Sequence, residues 1–126
     1  MTDAAAFLAN RRSHPAKLLT APVPDRAALT TILTAALRVP DHGKLEPWRL
    51  IVLERAALAR LADLVTTLGI GGDPEAVAKA RGHLDFSSLA VAVVASPKES
   101  PKIPVIEQTL SAGEIGRASC RERVWR

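Results

Sequence analysis

Two short apolar runs constrain this chain more than any other feature. Leu50, Ile51, Val52 and Leu53 sit within residues 48–54, and Leu-Ala-Val-Ala-Val-Val-Ala fills residues 89–95. Neither run alternates polar with apolar side chains, so neither suits a strand with one wet face. Both fit strands covered on two faces. Around them the apolar period changes to three and four. Residues 25–38 read as the clearest helix, with Leu29, Ile32, Leu33, Ala36 and Leu37 on one face and Pro40 ending it. A short helix over residues 4–12, capped by Asp3, draws on Phe7 and Leu8 for apolar contacts; Pro15 stops it, and Pro22 and Pro24 mark a loop. Residues 56–68 form a second amphipathic helix closed by Gly69, Gly71 and Gly72. Residues 75–81 form another, with Asp73 as cap and Pro74 in its first turn. Residues 96–104 are a Pro/Lys loop, and residues 105–114 open a last helix. Helices alternating with buried strands mean α with β, in layers.

Length limits what these elements can build. At 126 residues, 48% hydrophobic and 24% charged, the chain suits one modest soluble domain. No run approaches the length of a membrane span. The first ten residues lack a basic leader and a cleavage site, and a single cysteine gives no disulfide framework, so a reducing cytoplasm is expected. Aromatic content of 3%, with no tyrosine, argues against base-stacking nucleic-acid modules.

The formal charge of +4 is unevenly placed. Residues 115–126 hold Arg117, Arg121, Arg123 and Arg126 against one acid, Glu122, which leaves residues 1–114 at +1. The same stretch contains the only cysteine, Cys120. Its Gly-Arg-Ala-Ser-Cys-Arg-Glu-Arg-Val resembles a run found at the ends of unrelated proteins where a reading frame enters library adapter sequence. Residues 1–114 are therefore expected to be part of one domain. Residues 115–126 are expected to be a non-native tail that interrupts the last helix. A genuine basic tail for RNA or a membrane surface is the alternative.

Most catalytic signatures are missing. Gly69-Ile-Gly71-Gly72-Asp73-Pro74 follows a helix and lacks the third glycine of a dinucleotide loop. There is no Walker loop and no Gly-x-Ser-x-Gly elbow, and His14, His42 and His83 lack metal-ligand spacing. Two segments remain. Arg11-Arg12-Ser13-His14 places two guanidinium forks and a hydroxyl together, which suits a phosphate or an anionic ring oxygen. The same cations at a helix C-terminus would also complement its dipole. Residues 40–49, Pro-Asp-His-Gly-Lys-Leu-Glu-Pro-Trp-Arg, form a proline-framed loop ahead of a strand; they could hold polar groups over a flat ligand or simply connect helix to strand.

Together these segments resemble the FMN-dependent nitroreductase family, in particular its compact branch of NAD(P)H nitroreductases. Lys102-Ile-Pro104 followed by Glu107-Gln108-x-x-Ser111-Ala112-Gly113 resembles the same branch, so three motifs fall in register over residues 4–114. The resemblance implies an α+β fold with helices around a central β-sheet, and a homodimer holding noncovalent FMN at its interface. It implies that Arg11, Arg12 and Ser13 hold the flavin's phosphate, ribityl chain and ring from one subunit. His42 and Glu46 would reach it from the other, while Trp48 and Leu50 to Leu53 map to core. The implied reaction is a ping-pong hydride transfer from NAD(P)H through the flavin to a nitroaromatic, quinone or similar small-molecule acceptor, with no protein nucleophile, no metal, no nucleic acid and no membrane. Family members continue well past the position of Glu114, which implies that this polypeptide alone is poorly folded and inactive. Two other functions compete: a flavin-binding protein without turnover, and a small basic nucleic-acid-binding protein.

Overall fold

Three of the α-helices start where an aspartate side chain accepts their first free N–H groups. In the computed structural model, which describes residues 3–10, 12 and 15–119, helix α1 spans Ala4–Asn10 and Asp3 accepts from the N–H of Ala5. Helix α2 spans Arg26–Ala36 with Asp25 bonded to the N–H of Ala28. Helix α4 spans Pro74–Phe86, with Asp73 accepting from Glu75 and Ala76 and proline in its first turn. Between α2 and α4 lie strand β1, Trp48–Glu54, and helix α3, Arg55–Leu68, which Gly69 ends at φ 61°. Strand β2, Leu89–Ala95, and helix α5, Val105–Ser119, complete the described elements. Short 3₁₀ turns occupy Ala16–Leu18 and His42–Lys44.

β1 and β2 pair as a two-stranded sheet. The Ser96 N–H, just beyond β2, donates to the carbonyl of Pro47, just before β1, at 2.7 Å, so the strands run antiparallel. Helices and strands together make the α+β class expected from the sequence.

The chain divides into two compact units. The one containing Pro24–Arg49 and the chain from Val93 onward packs α2 against α5. The apolar period of α2 sets its inward face, with Leu29, Ile32 and Leu33 half-buried and Ala36 buried. On α5 the buried positions are Gln108, Ala112 and Ile115, spaced by three and four. Gln108 is the one buried polar side chain among the described residues, 2% exposed, and its amide is fully used. It accepts from the Lys98 N–H at 2.8 Å and donates to the carbonyls of Lys98 and Ile103 at 2.9 and 3.2 Å, fastening the loop ahead of α5.

The other unit, which contains Leu50–Ala92, packs α3 against α4. Leu58 and Ala62 of α3 are fully buried. Arg55 Nη1 donates to the carbonyls of Leu84, Asp85 and Ser87, satisfying the acceptors left open at the end of α4.

Four expectations need correction. β1 is not covered on both faces: Ile51 and Val52 are 42% and 41% exposed, because the sheet has two strands among the described residues. Leu37 is exposed because it is the C-cap of α2 and lies past its packed turns. α4 runs five residues beyond Arg81, since Gly82 costs a helix only about 1 kcal/mol and nothing else there stops it. α5 does not break at Ile115: that side chain is fully buried, and Arg117 Nε donates to Glu114 at 2.6 Å. The Glu114 carboxylate raises the Arg117 pKa, first by this hydrogen bond and then by its charge. The side chains of Phe7 and Leu8 lie outside the described set.

Replacing Gln108 by leucine should expose the energetics of the loop ahead of α5. Each partner left buried without a bond costs about 1–3 kcal/mol, so the Gln108→Leu variant should unfold at a clearly lower denaturant midpoint. An unchanged midpoint would show that water replaces the amide at no cost.

Candidate functional site

The proline-framed loop at residues 40–47 is closely constrained. Three residues lie at positive φ: Gly43 at 73°, Lys44 at 52° and Glu46 at 47°. For the two that are not glycine, this conformation costs on the order of 1–2 kcal/mol each. Asp41 holds the loop in that state. Its Oδ1 accepts from the Leu45 N–H at 3.2 Å and its Oδ2 from the Glu46 N–H at 2.9 Å. The Asp41 carbonyl accepts from the Lys44 N–H at 3.2 Å, and Trp48 N–H donates to the Glu46 carbonyl at 2.8 Å. Pro47 is fully buried behind the loop and Trp48 is half-buried.

Gly43 suits the loop by contact as well as by φ. A Cβ there would stand 2.5 Å from Cδ1 of Ile103, which is buried in the loop that Gln108 fastens. The loop's outer side carries His42, whose Nδ1 lies 2.7 Å from Oε1 of Glu107 in the first turn of α5. Both partners stay accessible, with 62% of the His42 side chain and 44% of Glu107 exposed. Glu107 belongs to a motif visible in the sequence, but its pairing with a residue 65 positions earlier has no local signal.

The structure therefore joins His42 and Glu46 on one loop. Arg12 stands on a separate element, beyond the end of α1, where its Nη1 donates to the Ala9 carbonyl at 3.1 Å. That contact is the helix-terminus role which the sequence left open as an alternative to anion binding. Arg11, Ser13 and His14 lie outside the described residues, as do Cys120 and the arginines beyond it. His83 sits in the last turn of α4 and has no part in this loop.

A second concavity is different in kind. Val93 and Ala95 of β2 and Thr109, Ala112, Gly113 and Gly116 of α5 line an open, apolar hollow with no charged group, unsuited to a phosphate. Among the described residues no three His, Cys, Asp or Glu side chains gather for a metal ion, and no helix is long and apolar enough to cross a membrane.

Comparison with known proteins places this arrangement. The architecture is that of the nitroreductase-like α+β fold: the nitroreductase-like family protein from Bacillus cereus superposes with a TM-score of 0.74 over 97% of this chain and 64% of its own, at 19% identity. At the sequence level, the Nitroreductase family model matches residues 8–120. The protein named "Putative NAD(P)H nitroreductase YdjA" from Escherichia coli is 37% identical over 113 residues. That named "Putative NAD(P)H nitroreductase" from Haemophilus influenzae is 39% identical over 114. The chain belongs to the Nitroreductase family. The matches cover 88% of this chain but 61% of each of these two relatives.

Two substitutions separate strain from contact at this loop. Gly43→Ala should destabilise by more than the roughly 1–2 kcal/mol of a left-handed alanine, because the methyl also meets Ile103. Adding Ile103→Val removes the Cδ1 methyl that is struck, so the double variant should recover the steric part alone. Additive losses in chemical denaturation would show that the contact is absent.

Proposed function

We propose that this protein is an FMN-dependent oxidoreductase that takes electrons from NAD(P)H and delivers them to nitroaromatics, quinones or similar small acceptors. It would do so by a ping-pong mechanism, in the cytoplasm, as a homodimer with FMN between the subunits. The observation that carries the reading is the loop at residues 40–47, where Asp41 bonds the N–H groups of Leu45 and Glu46, Lys44 and Glu46 keep a strained left-handed backbone, and His42 stands on the same loop. Strain of this sort persists where the surrounding structure over-determines it, and it concentrates at ligand clamps. Family membership supports the same reading.

The donor chemistry fits FMN. Arg11, Arg12 and Ser13 would hold the phosphate, ribityl chain and ring edge, guanidinium forks being suited to phosphate oxygens. His42 and Glu46 would reach the flavin from the second subunit. When bound, FMN supplies the hydride chemistry, and the protein's part is to position it and set its surroundings. The exposed Val105, Ile106 and Leu110 of α5, each more than 60% accessible, support burial of this helix against a second copy.

The full-length gene product provides the test. It should bind FMN and oxidise NADH or NADPH steadily in the presence of a quinone, with the parallel double-reciprocal lines of a ping-pong enzyme. Arg12→Ala should weaken FMN binding about tenfold or more, the loss of one charge-assisted hydrogen bond. Tight FMN binding without NAD(P)H oxidation would replace the enzyme by a flavin carrier. Absence of FMN binding would remove the reading altogether.

Glu46 gives a second check. A carboxylate beside the flavin opposes the negative charge that FMN gains on reduction. The Glu46→Gln variant should therefore show a more positive flavin midpoint potential in a spectroelectrochemical titration. An unchanged potential would place Glu46 away from the ring.

A further inference from the structure

The contact between His42 and Glu107 is too exposed to matter much for stability. Ion pairs at this accessibility contribute about 0–1 kcal/mol. Its consequence lies in the ring. A carboxylate only accepts hydrogen bonds, so at 2.7 Å the Nδ1 atom must carry a proton. In the neutral imidazole the other nitrogen, Nε2, is then an acceptor.

We infer that Glu107 is a positioning residue. Its carboxylate holds neutral His42 as the Nδ1–H tautomer and keeps Nε2 as the acceptor for an N–H or O–H of the ligand. The inference rests on the flavin-site reading above. FMN carries both kinds of donor, an imide N–H on its ring and hydroxyls on its ribityl chain.

Three features of the structure fix this geometry. Glu107 stands in the first turn of α5, where the helix dipole favours its negative charge. The next residue, Gln108, is buried and bonded three times, which anchors that turn. His42 is equally restrained, because it opens the 3₁₀ turn that precedes Gly43 and Gly43 is seated against Ile103. Both ends of the pair are thus set by backbone, leaving the ring with one hydrogen-bonding choice. No other ionisable partner of His42 is found among the described residues.

The tautomer is read from ¹⁵N chemical shifts of the ring nitrogens in the full-length protein labelled at histidine, without FMN, with His42 assigned from a His42→Asn variant. Wild type should show a protonated Nδ1 and a bare Nε2 once the ring is neutral. Glu107→Ala should move the ring toward the Nε2–H form and weaken FMN binding about tenfold. Glu107→Gln keeps an acceptor oxygen, and should retain both the tautomer and most of the affinity.

A wild-type ring protonated at Nε2, or a Glu107→Ala ring unchanged, would overturn the inference. So would a changed tautomer with FMN affinity equal to wild type, which leaves the flavin reading intact. Failure of wild type to bind FMN would instead sink the flavin reading and with it the ligand half of this one. The two failures are distinguishable because the tautomer is read without ligand.

Discussion

The buried amide of Gln108 is the interaction on which the site depends. By binding Lys98 and Ile103 through their backbone, it turns an irregular proline-rich connection into a fixed surface. Ile103 then forms the floor against which Gly43 sits, where a Cβ would meet the end of its side chain. The turn of α5 that carries Gln108 inward carries Glu107 outward to His42. One helical turn therefore sets the loop's floor and its exposed imidazole together. A buried side-chain amide suits this role because it must be satisfied: a shift of the loop would cost the Gln108 amide one of its three hydrogen bonds.

How much of this was legible in the sequence follows from the range of each interaction. Both strands lie at the residues marked by their apolar runs, 48–54 and 89–95, and the caps Asp3, Asp25 and Asp73 bind the N–H groups their positions imply. Those signals are local. Burial of β1 on both faces was not legible, because an apolar run records what a strand can tolerate and not what is beside it. The extension of α4 through Gly82 to Phe86 was hidden by a weak helix former whose cost the packing against α3 offsets. At Ile115 a change of composition suggested a break. The helical spacing of Gln108, Ala112 and Ile115 continues through it, and side-chain spacing is what packing against α2 selects.

The candidate site shows the same division. His42 and Glu46 stand out in the sequence because prolines and a glycine frame them, and the structure joins them on one loop. The two-oxygen grip of Asp41 on Leu45 and Glu46 is also local and within the motif. Glu107 was visible only as part of a motif further along, since nothing in residues 102–113 announces a partner at residue 42. For Arg12, the sequence left two roles open, and the bond to the Ala9 carbonyl matches the helix-terminus one. The two roles are compatible. A guanidinium has five donors in a fixed fork, so a bond to a helix carbonyl also orients the group.

The energetics of the loop argue that its shape is kept for something other than stability. Lys44 and Glu46 each carry a left-handed backbone that glycine would adopt without strain, on the order of 1–2 kcal/mol apiece. Asp41 supplies two hydrogen bonds, each contributing about 0.5–1.5 kcal/mol net. The two sums are nearly equal, so the loop's conformation is held but scarcely favoured. A connection between a helix and a strand has cheaper solutions than this. The left-handed residues do turn the chain so that His42 stands outward while Pro47 is buried behind it, which an extended connection of eight residues would not achieve. A loop that is neutral in stability, fastened at both ends and open on the side of its one imidazole has the properties expected of a preorganised clamp, in which the cost of ordering is met before a ligand arrives.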